Sequence, residues 1–145
     1  MNYLIRKLNK LDYNKKYFEL LKQLTSIDPK KISKNDFNKI VKGLNKSHLI
    51  YVIEDVENSI IIGTITILIE KKIIHNLGIV LHIEDLVIHK DYRKKGLANK
   101  LLELVKGISK KCKAYKIILD CSNDLEIFYS KNGFEKKSIQ MALYN

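Results

Sequence analysis

Apolar positions recur along this chain in two periods, about two residues and about 3.6 residues, and the switches between them divide it into elements. Residues 3–8 read as a first strand. Residues 12–25 read as a helix carrying Tyr17, Leu20, Leu21 and Leu24 on one face. Asp28-Pro29 stops it, because the residue before a proline is pushed out of the helical region. Ser33-Lys34-Asn35-Asp36 has capping-box spacing and predicts a second helix with Phe37, Ile40, Val41 and Leu44 inward. Residues 48–54 and 60–70 read as two strands around a turn at 55–58, a hairpin. A second turn at 75–78 leads to a strand over 80–88. Leu97, Leu101, Val105 and Ile108, with Leu104 beside them, repeat at helical spacing. Residues 115–121 form an apolar strand, and 124–132 a short helix closed by Gly133. Phe134 and residues 139–143 make a last strand. The order β-α-α-β-β-β-α-β-α-β predicts an α/β fold, a mixed sheet with helices on both faces, in one domain over residues 1–145.

The stretch HIEDLVIHKDYRKKGLANKLLE, residues 82–103, carries the chemistry. It is a strand, a basic loop and a helix start. The first N–H groups of a helix have no internal partner and the helix dipole adds positive charge there, so the loop at Arg93-Lys94-Lys95-Gly96-Leu97-Ala98 can hold a phosphate or pyrophosphate. Gly96 lets the backbone approach such a ligand. The two best-known phosphate loops do not fit: there is no GxxxxGK[ST] and no GxGxxG. A lysine-rich loop ahead of a helix is also, on its own, what an ordinary solvated surface looks like.

Composition changes this picture little. The 145 residues are 46% hydrophobic, enough for a packed core, and no apolar run approaches the roughly 18 residues of a membrane span. Nothing at the start reads as a signal peptide, so the expectation is a soluble intracellular chain with Cys112 and Cys121 reduced. The net charge of +11 would suit a polyanion, but only Arg6 and Arg93 are arginine. Lysines spread evenly through an Ile- and Asn-rich chain fit compositional bias and small acidic ligands better than a nucleic-acid groove. Neither cysteine has metal-site spacing, and no metal is expected.

The loop fits [RQ]-x-x-G-x-[GA], and with it the chain resembles the GNAT family of N-acetyltransferases. HIEDLVI before the loop, YKIILDC and FYSKNGF after it, KKIIHNLG upstream and IQMALY at the end are similar to the glucosamine 6-phosphate branch of that family. The resemblance is strongest over residues 71–144. It implies transfer of acetyl from acetyl-CoA to the amine of D-glucosamine 6-phosphate, a step toward UDP-N-acetylglucosamine. It implies that Arg93, Lys94, Lys95, Gly96, Leu97 and Ala98 hold the pyrophosphate. Glu84, Asp85, Leu86, Val87 and Ile88 would hold the pantetheine and polarise the thioester. Asp120, ending the apolar strand Ile117-Ile118-Leu119, would orient the amine, with Glu84 and Asp85 beside it. Tyr129 would contact the cofactor and protonate the departing thiolate. Thr25, Lys72, Ile73, Ile74, His75, Tyr115 and Lys116 would serve the sugar phosphate. A cytoplasmic homodimer joined through the C-terminal strand is implied as well. Two positions depart from the family pattern: Leu125 stands where Asn is frequent, and Tyr144 where a basic residue reaches the partner's substrate. Another amine, such as a polyamine or a protein terminus, is the enzyme alternative; a basic nucleic-acid-binding module is the non-enzymatic one.

Overall fold

The protein is described by a computed structural model covering residues 2–145. Five strands, β1 (Tyr3–Lys7), β2 (His48–Asp55), β3 (Ile60–Lys71), β4 (Ile79–Ile88) and β5 (Lys116–Leu119), form one sheet in the order β1-β2-β3-β4-β5. The first four pair antiparallel; β5 runs parallel to β4, which requires the crossover through the long helix between them. Helices cover both faces, as the element order predicts. On one side α4 (Leu97–Lys111) and α5 (Glu126–Lys131) close a core of Ile53, Ile62, Ile65, Ile67, Leu81, Ile83, Leu97, Leu101, Leu102, Val105 and Tyr129. On the other, α1 (Tyr17–Leu21) and α2 (Lys34–Gly43) bury Tyr17, Phe18, Leu20 and Phe37 against Val52, Ile61 and Val87. Tyr13, Phe18 and Phe37 meet edge-on there, at 5.4–5.7 Å between ring centroids. Each fully buried aliphatic side chain in these layers contributes about 1.5–3 kcal/mol.

Two expectations are corrected, and a third gains detail. The helix expected over residues 12–25 is broken. Asn9 and Asp12 form a capping box that starts a tight 3-10 turn at Lys10–Asn14, and Lys16 then takes a left-handed conformation at φ 57°. The Lys15 carbonyl accepts from Ile61 N in β3 (2.8 Å), so the sheet takes the acceptor that a continuous helix would use. Asp12 is fully buried, bonded by Arg6 Nη1 and Nη2 at 2.8 and 2.6 Å; Arg6 also binds Glu54, which is paired with Lys15. The last strand is absent: residues 132–145 have no regular structure, and Ile139, Met141, Leu143 and Tyr144 are almost fully exposed. The turn expected at 75–78 is a left-handed one, with His75, Asn76 and Leu77 of α3 (Ile74–Leu77) at φ 54–61°.

Two irregularities interrupt β4 near its C-terminal end. Thr66 pairs with Glu84 and Thr64 with Val87, so Asp85 and Leu86 together face Ile65 in a bulge, with Asp85 at φ 52°. Pairing of β4 to β5 ends at Ile83 with Leu119. From Glu84 onward the two parallel strands separate, leaving one backbone edge of β4 without a strand partner.

Candidate active site

The separation opens where the C-terminal ends of two parallel strands diverge, the usual place for a ligand in an open α/β sheet. A cavity of about 730 Å³ lies there, walled by Leu86, Val87 and Ile88 of β4, by Arg93, Lys94, Gly96, Leu97 and Ala98, and by Phe128 and Tyr129 of α5. One end is basic and rich in backbone donors. Gly96 is the N-cap of α4 at φ 74°, ψ 6°, and no side chain caps the helix. The first-turn N–H groups of a 15-residue helix therefore face the loop unpartnered, beside the helix's positive end. A Cβ at Gly96 would touch nothing, so glycine is required there for its left-handed backbone and not for space. This end fits a pyrophosphate; the apolar walls and the free strand edge fit an extended amide-bearing arm.

A second cavity of about 770 Å³ lies beyond the split, lined by Tyr115, Lys116, Asp120, Tyr129, Phe134 and the tail through Gln140. Tyr129 is the residue common to the two linings. Its ring packs against Phe128 and Phe134, at 5.0 and 5.8 Å. Burial, with Cys121 nearby, pushes its hydroxyl above the ordinary tyrosine range, so it is protonated at neutral pH. Strand pairing places Lys116 opposite Val80 and Ile118 opposite His82, so His82, Glu84, Lys116 and Asp120 share the face away from α4. Burial first, then Asp85 and Asp120, raise the Glu84 carboxyl above its usual range, with His82 opposing them. Glu84 is thus within electrostatic reach of Asp85 and Asp120. The Asp120 carboxylate accepts a hydrogen bond from Gln140 Nε2 at 2.9 Å.

Most of the residues expected from sequence come together, though not all. Lys95 stands outside the cavity lining, its Nζ 5.0 Å above the Tyr92 ring. Asp85 sits in the bulge and Glu84 just before it; both side chains are exposed and line neither cavity. Thr25 is exposed beyond α1, two residues past Gln23, which does line the cofactor-sized cavity. Lys72 is paired with Glu70, which also binds His82 Nε2 at 2.8 Å. Ile73 and Ile74 project from the exposed left-handed turn; only His75 is tied to the second cavity, its ring 4.5 Å from that of Tyr115. Sequence reasoning missed Gln23, Tyr92 and Gln140. Tyr92, adjacent to Arg93, was the one with a signal: an aromatic at the start of a phosphate loop has to pack on something. No group of three or more His, Cys, Asp or Glu side chains able to hold a metal occurs among the described residues.

An uncapped helix start fed by a basic glycine loop, next to a split parallel strand pair and a buried tyrosine, is the arrangement that the resemblance to the GNAT N-acetyltransferases implies. A family profile described as acetyltransferase (GNAT) domain matches residues 46–136. Glucosamine 6-phosphate N-acetyltransferase from Arabidopsis thaliana is 38% identical over 143 residues, covering 97% of this chain and 95% of the relative. Glucosamine 6-phosphate N-acetyltransferase 1 from Dictyostelium discoideum is 40% identical over 137 residues, covering 92% and 85%. The crystal structure of the Arabidopsis thaliana enzyme superposes with a TM-score of 0.94 at 37% identity, covering 99% of each chain. The chain belongs to the GNAT acetyltransferase family, in its glucosamine 6-phosphate N-acetyltransferase branch.

Proposed function

We propose that this chain transfers the acetyl group of acetyl-CoA to the amine of D-glucosamine 6-phosphate. The observation that carries the reading is the continuity of the site: the α4 N-terminus and the β4 edge form one cavity, Asp120 lies in the next, and Tyr129 lines both. Acetyl-CoA supplies the activated thioester. Arg93, Lys94 and the backbone of Gly96, Leu97 and Ala98 hold its pyrophosphate, with Lys95 adding positive charge from outside the lining, while Leu86, Val87 and Ile88 hold the pantetheine arm. Asp120, with Glu84 and Asp85, holds the sugar ammonium and draws off its proton. The neutral amine forms the new C–N bond as the C–S bond breaks, and the Tyr129 hydroxyl donates a proton to the departing thiolate. Both substrates are bound together, because the two cavities adjoin. His75, Tyr115 and Lys116, from the second cavity and its rim, meet the sugar phosphate, with Ile73 and Ile74 carrying the turn.

The tail supports assembly as a homodimer. It ends in exposed Ile139, Met141, Leu143 and Tyr144, and β5 has a free outer edge. A second copy would cover these exposed apolar side chains. Cytoplasmic location and a step toward UDP-N-acetylglucosamine follow from the same reading; the unpaired thiols of Cys112 and Cys121 agree with a reducing compartment. Thiol release from acetyl-CoA, assayed against glucosamine 6-phosphate, glucosamine, spermidine and a peptide N-terminus, tests the substrate. Turnover restricted to spermidine or the peptide would move the chain to another acceptor.

A further inference from the structure

The pyrophosphate loop springs from a short 3-10 turn, Lys90–Tyr92, and side chains from two distant elements hold that turn. Lys90 N donates to Gln23 Oε1 at 2.8 Å, just past the end of α1. The Tyr92 hydroxyl donates to Asp55 Oδ2 at 2.8 Å, at the end of β2. Asp55 is 3% exposed and is itself fixed, accepting from Glu57 N, from Asn58 N and from Asn58 Nδ2. Asn58's side chain first, then the Tyr92 hydroxyl, hold the Asp55 carboxyl below the ordinary range. Arg93 Nε donates back to the Ile88 carbonyl at 3.0 Å, the His89 ring meets the Tyr92 ring edge-on at 5.8 Å, and Lys95 Nζ covers the Tyr92 face.

This collar holds a backbone that would not hold itself. Lys94 sits at φ 61° and Gly96 at φ 74°, left-handed conformations two residues apart. A lysine there is disfavoured and persists only where its surroundings over-determine it. A loop free to relax would lose the alignment of its N–H groups, and the ligand would have to order it on binding. We propose that Asp55, Tyr92 and Gln23 are positioning residues for acetyl-CoA: they pre-order the pyrophosphate loop while touching no reacting atom. The proposal rests on the reading that this loop holds the pyrophosphate.

Two acetyl donors separate this role from general stability. Acetyl-CoA uses the loop; S-acetyl-pantetheine carries the same thioester and arm but no pyrophosphate. Tyr92→Phe keeps the ring and loses one hydrogen bond, so KM for acetyl-CoA should rise about three- to tenfold at unchanged kcat. The kcat/KM for S-acetyl-pantetheine should stay at the parent value. Asp55→Asn, at the other end of the Tyr92 bond and in neither cavity lining, should show the same split. Coenzyme A titrated by calorimetry into parent and variants should follow the acetyl-CoA KM. Equal effects on both donors, or unchanged coenzyme A affinity in both variants, would overturn the collar while leaving the parent's activity intact. A parent that binds no coenzyme A would overturn the function and the collar together.

Discussion

At the scale of single residues, the chemistry depends on what burial does to a few ionisable groups. Tyr129 is 8% exposed and is held neutral by its surroundings, which suits a proton donor and not a base. Tyr129→Phe preserves the packing against Phe128 and Phe134 and removes only the O–H. It should lower kcat by at least about tenfold, with both KM values and the melting temperature near those of the parent. Full kcat, with chemistry shown to be rate-limiting, would make Tyr129 a packing residue. On the proposed function Asp120→Asn should behave differently, lowering kcat and raising the sugar KM, because it removes the charge assigned there to the substrate ammonium. Glu84 offers a test with a sign. Its folded-state carboxyl is raised, so the favourable protonated form is fully populated below the unfolded value of about 4.3 and is lost as pH rises through the folded value. Glu84→Gln mimics that form. It should melt about 1–2 °C above the parent at pH 7–8 and level with it near pH 4, while losing sugar affinity. A gap that grows toward acid pH would show that the shift runs the other way.

At the scale of elements, what the sequence reveals is whatever depends on local pattern. α4 and its loop were legible because helical spacing, a glycine and basic residues fall in one stretch, and Gly96 proves to be the left-handed cap that the motif needs. The hairpin of β2 and β3 was legible through Asp55 and Asn58, which build their own turn. The break in α1 was not, because it depends on a long-range bond from Ile61 N to the Lys15 carbonyl that no local window contains. The bulge at Asp85 was hidden for the same reason: it is a property of the register with β3, and HIEDLVI reads equally well as an unbroken strand. Thr25 and Lys72 have no local signal, and the structure leaves them outside both cavities. The loop itself yields two predictions. Arg93→Ala with Lys95→Ala should raise the KM for acetyl-CoA, each lost charge-assisted bond being worth about 1.5–3 kcal/mol. Gly96→Ala has room for its methyl but not the right φ; it should weaken coenzyme A binding and cost roughly 1 kcal/mol of stability. An alanine variant with parental affinity would show that this backbone geometry is not what holds the ligand.

For the molecule as a whole, the exposed apolar tail and the positive charge both bear on function. If the tail pairs with a second copy, sedimentation at micromolar concentration should give a dimer, and removing residues 139–145 should give a monomer with raised sugar KM. A fully active monomer would leave the tail without that role. The net charge of +11 permits weak polyanion contacts that fade steeply with salt, whereas coenzyme A should raise the melting temperature with occupancy at physiological salt. The carboxylates of Glu54 and Asp55 are held low in the fold. For Glu54, bonds from Lys15 and Arg6 outweigh an opposing burial effect larger than either alone; for Asp55, bonds from Asn58 and Tyr92 do it. Their stabilisation is present above about pH 4 and is lost as the pH falls through their lowered values. Acetyl transfer itself is the decisive measurement: release of coenzyme A thiol from acetyl-CoA with glucosamine 6-phosphate as acceptor, with the product's new N-acetyl group identified by mass. Turnover should saturate, need both substrates, prefer the phosphorylated sugar to glucosamine, and drop with Asp120→Asn and Tyr129→Phe. Thiol release that is indifferent to the sugar, or a parent protein that transfers no acetyl group to it, would contradict the proposed function.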